Sequence, residues 1–137
     1  MHTGPVGTGS AAKLLTNMLW FIHVVALSDA LALGVKAGIA PETLGRLIPA
    51  SAGGSWVADH DLPNVLADDD DVSFTLALCC KDLRLIVELA GELGVDAPLG
   101  AFARARFDKA AERFGPAAGE LAVVRLAEEA AGVSVRA

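Results

Sequence analysis

The apolar run from Leu14 to Val35 constrains the fold of this chain more than any other feature. Ser10 and Gly38 are suited to begin and end a helix that extends from about Ser10 to Lys36. Because this helix is apolar nearly all round, we expect it to be central to the fold or to a dimer rather than to lie on a surface. The sequence therefore predicts a helical bundle built around one long, buried N-terminal helix.

A membrane-spanning segment is the alternative interpretation of this run, which approaches the required length. The run contains Asn17, His23 and Asp29, and a carboxylate near the middle of a bilayer is costly. The N-terminal residues also lack the basic and then apolar pattern of a secretory signal. Cys79 and Cys80 are adjacent and have no other cysteine to pair with, which is typical of a reducing compartment. We therefore expect a cytoplasmic protein that is not embedded in a membrane.

The rest of the chain also has helical patterns, and no segment alternates with a period of two. Further helices are expected at about 41–48, 56–66, 73–93, 99–114 and 116–130. Pro63 is expected to interrupt the helix at 56–66. Residues that favour strands are scarce, and tyrosine is absent. At 137 residues the chain has the length of one domain. We therefore expect a single all-α domain over residues 1–137.

Composition and charge restrict the partners of this domain. Apolar residues make up 53% of the chain, which is high for a monomer, and a buried subunit interface would absorb the excess. A net charge of −6 argues against a nucleic acid, because phosphate binding needs clustered lysine and arginine. The composition therefore favours association through a subunit interface, in a homodimer or a higher assembly, and it argues against binding of nucleic acid.

Lys13 and Asn17, at the head of the apolar helix, are the best candidates for a functional site. Positions four residues apart share a helix face, so the ammonium and the amide are expected to point the same way. In apolar surroundings such groups are costly unless they are paired or bind something polar. By spacing alone, a solvated first turn is the simpler interpretation. The same holds for Lys81 and Asp82, which are compatible with an ordinary exposed stripe on a later helix.

Other motifs that resemble ligand sites do not meet the requirements of those sites. Segment 4–9 has the spacing of a phosphate-binding loop, but Ser10 follows where that loop needs lysine. Residues 7–12 fit the dinucleotide fingerprint, which also needs a preceding strand that six residues cannot supply. The acidic run 68–71 lacks the alternating ligands and the glycine of a calcium loop. No metal site is predicted, since the histidines have no suitable mutual spacing: His2, His23 and His60. We expect His23 to be a satisfied core or interface residue.

Taken together, several separated motifs resemble the C-terminal helical domain of the β-hydroxyacid dehydrogenases. That family includes 3-hydroxyisobutyrate dehydrogenase, tartronate semialdehyde reductase and 6-phosphogluconate dehydrogenase-like proteins. The resemblance covers essentially the whole chain and keeps the order of the motifs. The residues that carry it are Gly4 to Gly9, Lys13, Asn17, Ala30 to Gly34, Ala37 with Gly38, Gly53 to Trp56, Phe74, and Lys81 to Leu83.

This resemblance implies a role for each of the motifs. Lys13 falls on the catalytic lysine, which exchanges a proton with the substrate oxygen while hydride passes to or from a nicotinamide. A lysine does this near neutral pH only when burial or a neighbouring cation lowers its pKa, and Lys81 is the expected neighbour. Asn17 falls on the substrate-orienting asparagine, whose amide both donates and accepts. The resemblance assigns cofactor binding to Lys81, to Asp82 as its supporting partner and to Phe74, and substrate binding to Gly53, Gly54 and Ser55.

Two departures from the family pattern limit what this chain is expected to do. Thr16 stands where the family often has an asparagine. The Rossmann half, which in this family holds most of the NAD or NADP, has no counterpart in these 137 residues. The resemblance therefore implies the helical half of an NAD(P)-dependent hydroxyacid oxidoreductase, inactive until a Rossmann half completes it. A non-catalytic dimerisation module or a remnant that binds a small carboxylate is the alternative.

Overall fold

The computed structural model describes residues 2–137, and over that range the chain is all-α, as predicted. Its only extended feature there is an isolated antiparallel bridge between Thr75 and Gly119. The helices are α1 (Thr8–Lys36), α2 (Pro41–Leu47), α3 (Trp56–Ala67), α4 (Leu76–Leu93), α5 (Pro98–Phe114) and α6 (Val123–Ala131), and a short 3₁₀ helix (Glu120–Ala122) precedes α6.

Helix α1 is the central element of the bundle, as the sequence predicts. It contacts α2, α3, α4, α5 and α6, and it buries Phe21, Val24 and Leu31 completely. The helix is long and apolar enough to cross a membrane, yet here it forms the core of the bundle. Less than half of its most apolar stretch is buried within the chain, so an apolar face of α1 is left uncovered.

The start of α1 differs from the prediction, and its end agrees with it. Ser10 is not the N-cap, because the helix begins at Thr8 after Gly7, whose φ is 94°. The Pro5 carbonyl accepts hydrogen bonds from both the backbone N–H and the hydroxyl of Thr8, which starts the first turn two residues early. At the other end Gly38 has a φ of 93°, which allows the left-handed turn that closes the helix.

Side-chain caps fix the beginnings of α3 and α4. The Ser55 hydroxyl accepts a hydrogen bond from the N–H of Ala58, and α3 continues through Pro63, which was expected to interrupt it. A proline inside a helix removes one hydrogen bond, and here the capped helix tolerates that loss. Helix α4 begins at Leu76 rather than at residue 73, because the Thr75 hydroxyl caps it.

The last predicted helix is shorter than expected, because its first residues form hydrogen bonds with the start of α4 instead of a helical turn. Pro116 to Gly119 form a turn, and α6 begins only at Val123. The carbonyls of Ala118 and Pro116 accept hydrogen bonds from the N–H groups of Leu76 and Ala77. These are among the free N–H groups in the first turn of α4, so the turn satisfies donors that the helix itself cannot.

Candidate active site

A single buried carboxylate joins the two residues that the sequence singles out on α1. The Asn17 amide nitrogen donates a hydrogen bond of 2.8 Å to Oδ2 of Asp82 on α4. The Lys13 ammonium lies 3.5 Å from the same oxygen. The Asp82 side chain is only 5% exposed, whereas that of Lys13 is 63% exposed. The packing of α1 against α4 therefore holds an amine and an amide on one face, with the amine open to solvent.

This arrangement leaves both α1 side chains with unused hydrogen-bonding groups. An ammonium has three donors, and its single ion pair with Asp82 leaves others free for a ligand. The Asn17 amide nitrogen is directed to Asp82, and among residues 2–137 the amide oxygen has no protein partner. Thr16, at the position where the family often has asparagine, donates to the Lys13 backbone carbonyl at 2.9 Å. The Thr16 hydroxyl is therefore bonded within its own helix.

The structure gives Asp82 partners other than Lys81. The Lys81 side chain is exposed and makes no hydrogen bond or ion pair with any described residue. Consecutive helical residues point about 100° apart, so when Asp82 faces α1 its neighbour faces away from the interface. The charged side chain in contact with Lys13 is therefore the Asp82 carboxylate, and Asp82 holds Lys13 and Asn17 rather than Lys81. That Lys81 acts on Lys13 as a neighbouring cation stays a prediction.

Three aromatic side chains from different parts of the chain pack together next to this cluster. We call them the aromatic wall: Trp20 on α1, Trp56 on α3 and Phe74 in the segment before α4. The Trp20 ring lies 5.0 Å from that of Phe74 and 6.4 Å from that of Trp56, between ring centroids. Phe74 is partly buried against the core, whereas Trp56 is 59% exposed. Trp20 is not among the site residues predicted from the sequence, although its position one turn beyond Asn17 on the same helix face could have revealed it.

The glycine-rich loop between α2 and α3 lies apart from this cluster. Its residues Gly53, Gly54 and Ser55 line a concavity of about 410 Å³ with His23 and Leu27, and neither Lys13 nor Asn17 lines it. A Cβ atom on Gly54 would lie 2.8 Å from a backbone carbonyl oxygen, so the loop has no room for a side chain there. The loop leads into Trp56, the first residue of α3, whose ring contacts that of Trp20.

The position of His23 contradicts the core alternative of its prediction, while the interface alternative stays a prediction. That side chain is exposed rather than part of the core of this chain. His60 stacks on Trp56 with ring centroids 4.4 Å apart, and its Nδ1 lies 3.0 Å from the Trp56 carbonyl oxygen. Among residues 2–137 no group of three or more histidine, cysteine, aspartate or glutamate side chains is placed to hold a metal ion.

Comparisons with known proteins agree with this architecture. The chain is 33% identical over 136 residues to 2-(hydroxymethyl)glutarate dehydrogenase of Eubacterium barkeri, covering 98% of this chain and 45% of that protein. It is 35% identical over 113 residues to 3-hydroxyisobutyrate dehydrogenase of Pseudomonas aeruginosa, covering 77% of this chain and 38% of that protein. The chain therefore spans less than half the length of these relatives.

A solved structure gives the same result for the fold. The structure of Mycobacterium tuberculosis 3-hydroxyisobutyrate dehydrogenase with L-serine matches with a TM-score of 0.83 and 28% identity, covering 92% of this chain and 45% of that chain. A family model described as NAD-binding of NADP-dependent 3-hydroxyisobutyrate dehydrogenase matches residues 7–127. These matches confirm NAD or NADP as the cofactor of the family. The chain belongs to the β-hydroxyacid dehydrogenase family, and it corresponds to the helical NAD-binding part of its NADP-dependent 3-hydroxyisobutyrate dehydrogenases.

Proposed function

We propose that this chain is the helical half of the catalytic cleft of an NAD(P)-dependent hydroxyacid dehydrogenase. The observation that carries the proposal is the Asp82 carboxylate shared by Lys13 and Asn17. A module kept only for association has no evident need for a solvent-facing amine and an amide held together by a buried acid. The opposite wall of the cleft is a Rossmann half, linked to this chain or separate from it.

In this proposal Lys13 is the proton-transfer group. Once a Rossmann half closes the cleft and buries Lys13, its ammonium donates a proton to the substrate carbonyl oxygen in the direction of reduction. In the direction of oxidation the neutral amine accepts the hydroxyl proton. When bound, the nicotinamide supplies or takes up the hydride at the adjoining carbon. Asp82 is a positioning residue, since it restrains the amine and leaves the free donors of Lys13 directed to the cleft. The Asn17 amide orients the substrate oxygens.

The described residues fit one side of a nicotinamide cofactor. The exposed ring of Trp56 offers a flat apolar surface, and the Lys81 ammonium is exposed and unpaired among residues 2–137. Phe74 supports this apolar surface indirectly, because its ring packs against the ring of Trp20, which in turn contacts Trp56. Within residues 2–137 there is no strand followed by a glycine-rich loop, so we assign the pyrophosphate to the Rossmann half.

The substrate in this proposal is a small hydroxyacid. The names of the relatives include 2-(hydroxymethyl)glutarate, L-threonate and 3-hydroxyisobutyrate, and these form a suitable panel for an assay. Gly53, Gly54 and Ser55 are proposed to lie near the substrate carboxylate once the cleft is complete. A reducing cytoplasm is the proposed location, in line with the free thiols of Cys79 and Cys80.

Cofactor titration tests this proposal directly. The lone chain is mixed with NADPH or NADH, with and without its Rossmann half, and tryptophan emission is followed. Both tryptophans of the chain belong to the aromatic wall, so a nicotinamide bound there should quench them. We expect little change with the lone chain and saturable quenching, with turnover of a hydroxyacid, once the Rossmann half is present. Tight binding by the lone chain would contradict the division of the site, and a complete assembly without turnover would favour the non-catalytic alternative.

We also propose that the chain forms a homodimer through the uncovered face of α1. This face, which we call the apolar stripe, carries one charged side chain, Asp29, at the same helical spacing. Its apolar members lie on α1 and α5: Leu15, Leu19, Ile22, Ala26, Leu33, Leu99 and Phe102. Leu33 is 73% exposed, and contiguous apolar surface of this kind is typical of subunit interfaces. Nothing on this stripe is needed for the chemistry proposed above.

Replacing Leu19 with glutamate should convert the dimer to a monomer. The substitution places a carboxylate between Leu15 and Ile22 on the apolar stripe, where a subunit interface would desolvate it without a partner. The mass in solution is measured by light scattering at micromolar concentration. Leu47→Glu on α2, similarly exposed but outside the stripe, is the matched control and should remain a dimer. A monomeric parent chain, or equal dissociation of both variants, would disprove this interface.

A further inference from the structure

Two acidic side chains are buried behind the aromatic wall. Asp61 on α3 is 6% exposed and accepts a hydrogen bond of 2.9 Å from the indole nitrogen of Trp20. Glu120, at the start of the 3₁₀ helix, is also 6% exposed. Its Oε2 atom is shielded from solvent and has no hydrogen-bond partner among the described residues. A buried carboxylate oxygen without a donor is costly in its charged form.

The groups that face Glu120 make its ionised form still less favourable. They are Asp61 from α3, Asp71 from the loop before α4 and the buried Cys79 thiol from α4, and none of them is cationic. Burial raises the pKa of Glu120 to about 7, although a backbone hydrogen bond to its carboxylate acts in the opposite direction, and the charges of Asp61 and Asp71 add to the rise. Burial also raises the pKa of Asp61, although the Trp20 hydrogen bond and the nearby His60 act in the opposite direction.

Glu120 is connected to the wall through the backbone. Its N–H donates a hydrogen bond of 3.0 Å to the carbonyl of Phe74. The preceding residue, Gly119, forms the antiparallel bridge with Thr75 and packs so closely on the Asp71 carbonyl that a Cβ atom would not fit. A change at Glu120 therefore acts on the short segment that carries Phe74, whose ring contacts Trp20.

We infer that Glu120 is a proton-dependent support of the aromatic wall. With a proton on its carboxyl group the wall packs as described, and loss of that proton places an uncompensated charge beside Asp61 and Asp71. The 3₁₀ helix then moves away from the segment that carries Phe74. The Trp20 ring, which packs against Phe74 one helical turn from Asn17, changes its position as a result. The movement of the wall is independent of the proposed function, whereas its effect on catalysis rests on that function.

The pH dependence of stability has a definite sign. Near pH 6 the folded chain keeps a proton on Glu120 that the unfolded chain, with an ordinary pKa of 4.5, has released. The free energy of unfolding therefore falls as pH rises from about 4.5 through about 7, and it levels off above that range. Glu120→Gln removes this dependence, because the amide is neutral at every pH. Relative to the parent, the variant should gain on the order of a hundredfold in the folding equilibrium constant between pH 5 and pH 8.

Tryptophan emission of the 137-residue chain tests the inference without a partner or a substrate. Because both tryptophans, Trp20 and Trp56, belong to the wall, we expect an emission change with a midpoint near pH 7 in the parent chain. Glu120→Gln should abolish this transition. Glu112→Gln, the same chemical change at an exposed site on α5, should keep it. His60→Gln should also keep it, which separates Glu120 from the histidine stacked on Trp56.

A transition that survives in Glu120→Gln, or that disappears in His60→Gln, would overturn the inference. Should Glu120→Gln fail to fold, carboxyl ¹³C NMR of the parent chain gives the titration of Glu120 itself. A midpoint close to the ordinary value of 4.5 would then refute the inference, and one near 7 would support it. Because these measurements need neither cofactor nor Rossmann half, their failure would leave the dehydrogenase proposal untouched.

Discussion

Replacing Lys13 with methionine is expected to lower the turnover number of the completed enzyme by about 10²- to 10⁴-fold, the usual contribution of a general acid–base residue. The substitution keeps the length of the side chain and removes only the proton-transfer group. Since the Lys13 side chain is 63% exposed, the fold should be unaffected. Turnover is measured by nicotinamide absorbance with a Rossmann half supplied, and circular dichroism checks the helical content.

Lys81→Met is the matched control for this experiment. Lys81 is also an exposed lysine, but it lies on α4 and outside the Asp82 cluster. We expect its loss to raise the KM for the cofactor and to leave the turnover number nearly unchanged. If the two variants lose turnover equally, or if Lys13→Met retains it, then Lys13 is not the proton-transfer group.

The second large effect is expected in the core, where Phe107→Ala should reduce the free energy of unfolding by about 3–5 kcal/mol. Phe107 is fully buried, and its ring lies 5.2 Å from that of Phe21 on α1. The truncation opens a cavity where α5 packs against the central helix, and the well-packed surroundings can collapse only partly. Urea denaturation at a fixed protein concentration measures the change, since dimerisation contributes to the apparent stability.

Leu93→Ala provides the comparison for this core substitution. Leu93 ends α4 and is largely exposed, so its truncation should change the free energy of unfolding by less than about 1 kcal/mol. A similar loss in both variants would show that the contact between α1 and α5 is not the main source of stability.

Local signals in the sequence account for most of the fold. The long apolar run from Leu14 to Val35 predicts α1 as the central helix, and Gly38 correctly marks the end of α1. The errors occur where backbone groups find partners far along the chain. Pro116 suits the first position of a helix, but its carbonyl bonds to the N–H of Ala77, and sequence spacing does not show that contact.

The part of the candidate site that lies on α1 could be predicted from the sequence, whereas its contact with α4 could not. The spacing of Lys13 and Asn17 placed them on one face, because helical periodicity is a local property. Their link through Asp82 depends on how α1 and α4 pack, and spacing along the sequence does not show that packing. The burial of Glu120 was missed for the same reason, since its cause is the pairing of Gly119 with Thr75.

The oxygen that Lys13 and Asn17 share makes the site sensitive to helix register. The two groups that meet it come from α1, and the oxygen itself comes from α4. A slide of one helix along the other by a single residue, about 1.5 Å, would change both contacts at once. Substitutions anywhere along the α1–α4 contact can therefore change the position of the Lys13 ammonium from a distance. Directed evolution of this site would accordingly find useful positions far from Lys13 itself.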